Sequence, residues 1–314
     1  MKNKLSDIYL ISPGFKVPPS DLESTLEFWA KNSPSLNLHF VPRHLSETSG
    51  DLLCSGTLSE RLSEIELAFS DEKTQVVWAL RGGYGSQELM PHLSKIKTLK
   101  NKLFIGFSDC TSLHYYFNQT LRLSSLHAPH PNTFFKNMHS SSVLDSMNEV
   151  FKQKDPEFLF SGLELLNKKK IKKSKGPISI EGEVGGGNLT TLISLIGTPG
   201  FEGFKEKFLF LEELEEPAYK VRRMLEHLKQ SGSLDKVKAL IFGHMIHTSS
   251  NQQELIKKVV IEFCENLEVP SVWGLSSGHE HFENHPLWFG KKSKLTLDES
   301  STLVNNIKCE SIRN

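Results

Sequence analysis

The amino-acid sequence predicts an α/β protein in two parts. The first is an N-terminal α/β domain built on a parallel sheet, with a sharp strand-to-helix elbow at Ser108; the second is a C-terminal mixed α/β domain. Three observations predict this. Apolar, β-branched runs alternate with segments of helical spacing, the pattern of a parallel sheet covered by helices. A glycine-rich turn after Leu80 and the turn at Ser108 both fall at the carboxyl ends of such runs, where open α/β sheets bind ligands. Finally, residues 166 to 177 hold six lysines, a proline and a glycine. A charge run without interleaved aromatic residues reads as a solvated linker rather than a nucleic-acid patch. The expected divisions are residues 1–160 for the N-terminal domain, 161–177 for the linker and 178–314 for the C-terminal domain.

Taken in order, Asp7 to Ser12 reads as the first strand, stopped by Pro13-Gly14. Ser20 and Glu23 have capping-box spacing ahead of Leu26, Trp29 and Ala30, which opens a helix. Leu36 to Val41 is a second strand. Thr57 and Glu60 repeat the capping-box spacing before Leu62, Ile65, Leu67 and Ala68, a second helix. Gln75 to Leu80 is a third strand that ends in Arg81-Gly82-Gly83-Tyr84-Gly85-Ser86, and a helix follows. Leu103 to Phe107 is an apolar run that breaks at Ser108 and continues with helical spacing through Leu113, Tyr116 and Phe117. Arg122 to Leu126 gives a further strand, followed by the proline-rich His127-Ala-Pro-His130-Pro131.

The second half opens with a strand from Ile178 to Val184, then Gly185-Gly186-Gly187-Asn188 and an apolar helix through Leu192, Leu195 and Ile196. These glycines match neither G-x-G-x-x-G nor a P-loop with its lysine, so a tight turn is expected before a phosphate site. Lys207 to Leu211 is a strand that runs into Glu212-Glu213-Leu-Glu215-Glu216-Pro217, where the later acids and the proline suit a helix entry. Ala239 to Phe242 and Val269 to Trp273 continue the strands, with a helix near Gln253 to Asn266 between them.

Composition narrows the function classes. Lysine plus arginine and aspartate plus glutamate number 37 each, so no global field favours nucleic acid or an anionic membrane. Four scattered cysteines, with no CxxC pair, read as reduced thiols of a cytoplasmic protein. The apolar run Ile8 to Ile11 is too short for a signal segment, and no run approaches a membrane span.

The chemistry-bearing residues follow from the strand ends. A serine lifted out of a sheet at a strand-to-helix turn presents its hydroxyl beside the N–H groups of the following helix, although Asp109 and Cys110 depart from Gly-x-Ser-x-Gly. The same serine could instead be a helix N-cap. A nucleophilic serine needs a base and the base an orienting carboxylate. Among 13 histidines, three cluster in Gly278-His279-Glu-His281-Phe-Glu-Asn-His285 after a strand. Zinc is the rival reading of that cluster, with H-E-x-x-H absent. For the acid, Glu212 is the best placed of the acidic run, being at the carboxyl end of an apolar strand.

With these residues in view, the chain resembles the LD-carboxypeptidases, serine peptidases that include muramoyl-tetrapeptide carboxypeptidase and the microcin C immunity peptidase. The matching segments run in order along nearly the whole chain: Ser55-Gly-Thr57 with Glu60-Arg61, Arg81-Gly-Gly-Tyr-Gly85, Gly106-Phe-Ser-Asp109 with Leu113-His114, and His127-Ala-Pro129. They continue through Gly186-Gly-Asn-Leu-Thr190, Gly197-Thr-Pro199, Leu209-Phe-Leu-Glu212, Pro217-Ala-Tyr219, Arg223-Met-Leu225 and Gly278-His279. The resemblance implies a triad of Ser108, Glu212 and His279 split between the two domains. It also implies an oxyanion hole from the backbone N–H of Asp109 and of the Gly82-Gly83 turn, no metal or organic cofactor, and a homodimer.

What the resemblance implies for function is a cytoplasmic serine carboxypeptidase that releases terminal D-alanine from murein tetrapeptides in cell-wall recycling. The same triad could act on an aminoacyl-nucleotide antibiotic or another small amide, and a catalytically silent muropeptide-binding protein is the third class. Neither nucleic acid nor membrane is an expected partner. Two departures bear on substrate preference: the segment from Glu280 to Gly290 is longer than the family's, and Ala128 stands where the family has glycine. Arg81, beside the glycine turn, is a candidate for the substrate's terminal carboxylate by location alone, and an arginine there more often makes a surface pair.

Overall fold

The computed structural model describes residues 5–46, 50–96, 102–153, 155–167, 177–279, 282–298 and 301–305. The chain divides into two compact units, residues 1–154 with 280–286, and residues 155–279 with 287–314.

In the first unit, five strands lie in the order β5-β4-β3-β1-β2: β1 (Asp7–Ile11), β2 (Asn37–His39), β3 (Val76–Ala79), β4 (Leu103–Gly106) and β5 (Ser125–His127). Every pairing among them is parallel. The chain leaves β1 toward β2 on one side and returns as β3 on the other, so the strand order reverses between β1 and β3. That reversal is a switch point, where the loops after neighbouring strands part and leave a crevice. The loops after β1 and β3 are tied together there, since Leu80 N donates to Ile11 O (2.7 Å) and Phe15 N to Gly82 O (3.1 Å).

The helices of this unit are α1 (Pro19–Asn32), α2 (Leu58–Ser70), α3 (Ser86–Leu93), α4 (Thr111–Tyr115) and α5 (Ser141–Lys152). The Thr57–Glu60 capping box is formed: Glu60 N donates to Thr57 Oγ1 (3.3 Å) and Thr57 N to Glu60 Oε2 (2.7 Å). The Ser20–Glu23 box is not. Helix α1 starts earlier, with Pro18 as the flanking residue and Pro19 inside the first turn, and it has no side-chain cap bond. Proline's fixed φ initiates the helix, and its missing N–H leaves one donor fewer to satisfy. Trp29 and Trp78 pack edge to face at 5.0 Å in the core. Their indole N–H groups donate to Pro131 O (3.2 Å) and Pro129 O (2.9 Å), which pins the loop after β5 to the core.

The second unit is a closed, mixed barrel in the order β10-β6-β13-β12-β7-β8-β9. Its strands are β6 (Phe158–Leu165), β7 (Ile178–Asn188), β8 (Lys207–Leu214), β9 (Ala239–Ile246), β10 (Ser271–Trp273), β12 (Lys292–Leu297) and β13 (Ser301–Asn305), with β11 (Leu287–Phe289) preceding β12. Strands β7, β8, β9 and β10 pair in parallel, and the remaining barrel pairings are antiparallel. Helices α6 (Leu189–Leu195), α7 (Ala218–Gln230) and α8 (Ser250–Glu265) connect the parallel strands. Residues 161–165, expected to open the lysine-rich linker, are instead the second half of β6. Their partners β10 and β13 lie far away in sequence, so the local lysine content conceals the strand. Residues 168–176 of that stretch lie outside the described residues.

Candidate active site

Ser108 occupies the turn between β4 and α4. It is the first residue of a short 3₁₀ turn, Ser108–Cys110, and its φ is +61°. A side chain other than glycine's rarely takes that conformation, and holding one there costs on the order of 1–3 kcal/mol. The helix-capping alternative for Ser108 does not hold: Phe107 flanks the turn and no side chain caps it. Beyond α4 the helix widens into a π-turn over Tyr116–Thr120 instead of continuing regularly. Beneath the elbow, His114 bridges the strand ends, with Nε2 at 2.8 Å from Gly106 O and Nδ1 at 2.7 Å from Ser125 Oγ.

The glycine turn after β3 lies against this serine. A Cβ added to Gly82 would meet Ser108 Cβ at 3.1 Å, His130 Nε2 at 3.2 Å and Ser108 Oγ at 3.3 Å. Gly83 (φ +99°) has no room either, because Phe15's ring occupies that space at 2.3 Å. Asp109 is buried, and its Oδ2 accepts from Ser86 N at 2.9 Å, which fixes the turn of Ser108 to the start of α3. Burial pushes the Asp109 carboxyl up, against its hydrogen bonds from Ser86 and the positive charge of Arg61. The sequence-predicted Ser108, Asp109, Gly82 and Gly83 are thus neighbours within the first unit. Arg81 donates to Lys16 O (3.1 Å) and lies over the Phe15 ring at 5.6 Å.

In the second unit, Glu212 and His279 are bonded to each other. Glu212 lies in β8 and is fully buried; His279 follows β10 and its side chain is 16% exposed. His279 Nδ1 lies 2.6 Å from Glu212 Oε2, and His279 N donates to the same oxygen at 3.0 Å. A carboxylate oxygen only accepts, so Nδ1 carries the proton and Nε2 is the basic nitrogen of the neutral ring. Burial lowers the imidazole's affinity for a proton; the charge of Glu212 and its hydrogen bond outweigh that, and the His279 pKa lies above its ordinary value. Gly278 (φ +103°) makes the pair possible, because a Cβ there would sit 2.6 Å from Glu212 Cγ.

The other histidines of the segment have different roles. His285 Nε2 pairs with Glu283 Oε2 (2.8 Å), and its Nδ1 is 3.2 Å from Ser146 Oγ. Glu280 and His281, two members of the zinc reading, lie outside the described residues. Among the described residues, no group of three or more histidines, cysteines and carboxylates is placed to hold a metal ion.

Comparison with known proteins identifies the family. Residues 8–128 match the LD-carboxypeptidase N-terminal domain, and residues 181–295 match the LD-carboxypeptidase C-terminal domain. The chain belongs to the LD-carboxypeptidase family. A Rickettsia conorii protein is 32% identical over 278 residues, 88% of this chain and 85% of that one. The murein tetrapeptide carboxypeptidase of Pseudomonas aeruginosa is 27% identical over 297 residues, 92% of each chain. The crystal structure of muramoyltetrapeptide carboxypeptidase from Oxalobacter formigenes superposes with a TM-score of 0.81 at 26% identity, covering 96% of this chain and 99% of that one.

Within this LD-carboxypeptidase chain, three residues around the candidate site escaped the sequence reading of the site. Arg61 is buried and donates to Gly56 O (3.1 Å), Pro13 O and Gly85 O (both 2.9 Å), bracing the loops around Ser108. His130 Nδ1 lies 2.8 Å from Ala79 O, and its ring packs against Phe107 at 4.6 Å, tilted by 38°. Glu213 is a second buried carboxylate next to Glu212. An arginine buried by carbonyl acceptors carries no local sequence signal. The glutamate run could have flagged Glu213, because a strand that holds Phe208 to Leu211 fully buried extends through it.

Proposed function

We propose that the protein is a serine LD-carboxypeptidase that cleaves the L,D bond to terminal D-alanine in murein tetrapeptides, with Ser108 as nucleophile, His279 as base and Glu212 as the acid that orients it. The observation that carries this reading is the Glu212–His279 bond of 2.6 Å from a fully buried carboxylate, which fixes the tautomer a general base requires. The left-handed φ of Ser108 supports the nucleophile's assignment independently.

In this mechanism Ser108 Oγ attacks the scissile carbonyl carbon and its proton passes to His279 Nε2. The oxyanion of the tetrahedral intermediate is held by the N–H of Asp109 and an N–H of the Gly82-Gly83 turn. Collapse breaks the C–N bond, and the His279 proton goes to the departing D-alanine amine. Water then attacks the acyl-enzyme, giving its proton to His279, and the serine is regenerated as the shortened peptide leaves. Each proton is accounted for by the imidazole, and no step calls for a metal or organic cofactor. This activity fits a cytoplasmic place in cell-wall recycling and a homodimeric enzyme, the latter checked by sedimentation.

The test is mass spectrometry of disaccharide-tetrapeptide incubated with the protein and with Ser108→Ala. Loss of one alanine with the wild type alone is the expected result. An intact tetrapeptide, with cleavage of an aminoacyl-nucleotide amide instead, would overturn the substrate and keep the triad. A folded Ser108→Ala variant with full activity would overturn the triad.

A further inference from the structure

We propose that Glu213 is a positioning residue for the Glu212–His279 pair, anchoring the end of β8 and adding a second buried negative charge on the strand that carries the acid. The proposal rests on the reading of His279 as the base. Strand β8 is buried on both faces from Lys207 through Glu213 and exposed only at Leu214, so a second carboxylate is carried into the interior beside Glu212. Glu213 is 4% exposed.

Its two oxygens are met by four donors. Asn188 Nδ2 (3.1 Å) and Leu214 N (2.9 Å) donate to Oε1; Thr190 N and Thr190 Oγ1, each at 2.8 Å, donate to Oε2. Four donors around one carboxyl suit the ionised form, since a protonated oxygen would face a donor. Burial and the charge of Glu212 raise the Glu213 pKa, and these hydrogen bonds oppose them.

The donors come from the corner where β7 ends and α6 begins. Asn188 stands opposite Glu212 in the β7–β8 register, and its Oδ1 caps α6 by accepting from Thr191 N at 3.0 Å. On the other side of β8 the register shifts at the same place: Leu211 pairs with Phe242, but Glu213 pairs with Met245. The ladder is therefore irregular at the residue whose carboxylate must be held still, and a bulge there re-aims the strand. The side chain of Glu213 clamps the strand end just past that irregularity. Among the described residues, Glu212 and Glu213, both from β8, are charged groups that bear on His279, and Glu213 reinforces the effect of Glu212. The groups that face Glu213 from β7 and α6, Asn188 and Thr190, are neutral.

The test is an NMR titration of His279, identified by its loss in His279→Gln, in the wild type, Glu213→Gln and Glu213→Asp, with kcat and KM measured for each. Glu213→Gln is expected to lower the His279 midpoint, because it removes a negative charge that favours the imidazolium. The acid limb of kcat/KM should move with it, and kcat should fall while KM stays near its wild-type value. Glu213→Asp keeps the charge and shortens the clamp, so it should restore the midpoint while kcat remains reduced.

A folded Glu213→Gln that is less stable but has a wild-type His279 midpoint would assign Glu213 a purely structural role and overturn the proposal. If Glu213→Gln does not fold, Glu213→Asp decides, and wild-type kcat in that variant overturns it. The titration needs no substrate, so its outcome stands apart from the base assignment, which wild-type turnover by His279→Gln would overturn.

Discussion

Gly278→Ala should dismantle the candidate acid–base pair without altering any residue assigned to the triad. Gly278 has φ +103°, where an alanine costs on the order of 1–3 kcal/mol in backbone strain alone. The new Cβ would also lie 2.6 Å from Glu212 Cγ, 2.8 Å from Oε2 and 2.9 Å from Cβ, all far inside van der Waals contact. Glu212 is fully buried, so either its carboxylate or the Gly278–His279 backbone must move. Either movement breaks the bonds from His279 N and Nδ1 to Oε2, each a hydrogen bond to a charged group worth about 1.5–3 kcal/mol. Gly274→Ala is the matched control, since Gly274 has a similar φ of +97° and nothing within 4 Å of an added Cβ. Both variants should show the strain in urea denaturation, but only Gly278→Ala should lose turnover. The expected loss is about 10³-fold or more, approaching the ~10⁴ that a disabled triad acid costs a serine peptidase. Alanine release measured by mass spectrometry gives the rates. Equal activities in the two folded variants would refute the reasoning, because strain without overlap would then explain both.

Two pH effects follow from individual histidines. The folded chain holds the His279 proton more tightly than an ordinary imidazole, so the neutral base appears only as pH rises past that raised value; kcat/KM should therefore fall on the acid side with a midpoint above the ordinary 6.5, and Glu212→Gln should move the midpoint down. The same raised value makes His279's contribution to stability complete below the ordinary pKa and lost as pH climbs through the folded one. His114 behaves in the opposite sense: burial lowers it to about 4, against the hydrogen bond to Gly106 O. The unfolded chain then binds the extra proton first, and stability should decline by about 3 kcal/mol as pH falls from 6.5 toward 4. Urea midpoints across that range, compared with those of His114→Gln, test this; parallel curves would exclude His114 as the source.

How much of this could be read in the sequence depends on how far each residue's partners lie along the chain. The parallel sheet of the first unit was legible because its strands are short, apolar and separated by helices whose caps are local, as at Thr57–Glu60. Ser108 was legible as an elbow because the break in the apolar run is itself local. Glu212 and His279 stand 67 positions apart; Glu212 was legible at the carboxyl end of an apolar run, whereas His279 was singled out from its histidine cluster only by the family resemblance. The antiparallel part of the barrel was not legible: β6 alternates through a segment that composition assigns to a linker, and its pairing strands are β10 and β13. The same rule separates Arg61 from Ser108. Arg61 is buried because carbonyls at positions 13, 56 and 85 converge on it and Glu88 pairs with it; apart from the nearby Gly56, those partners are set by tertiary placement. A charged residue in that setting contributes through the loops it holds rather than through its own chemistry. That is why a helix position with ordinary spacing supports the geometry at Ser108.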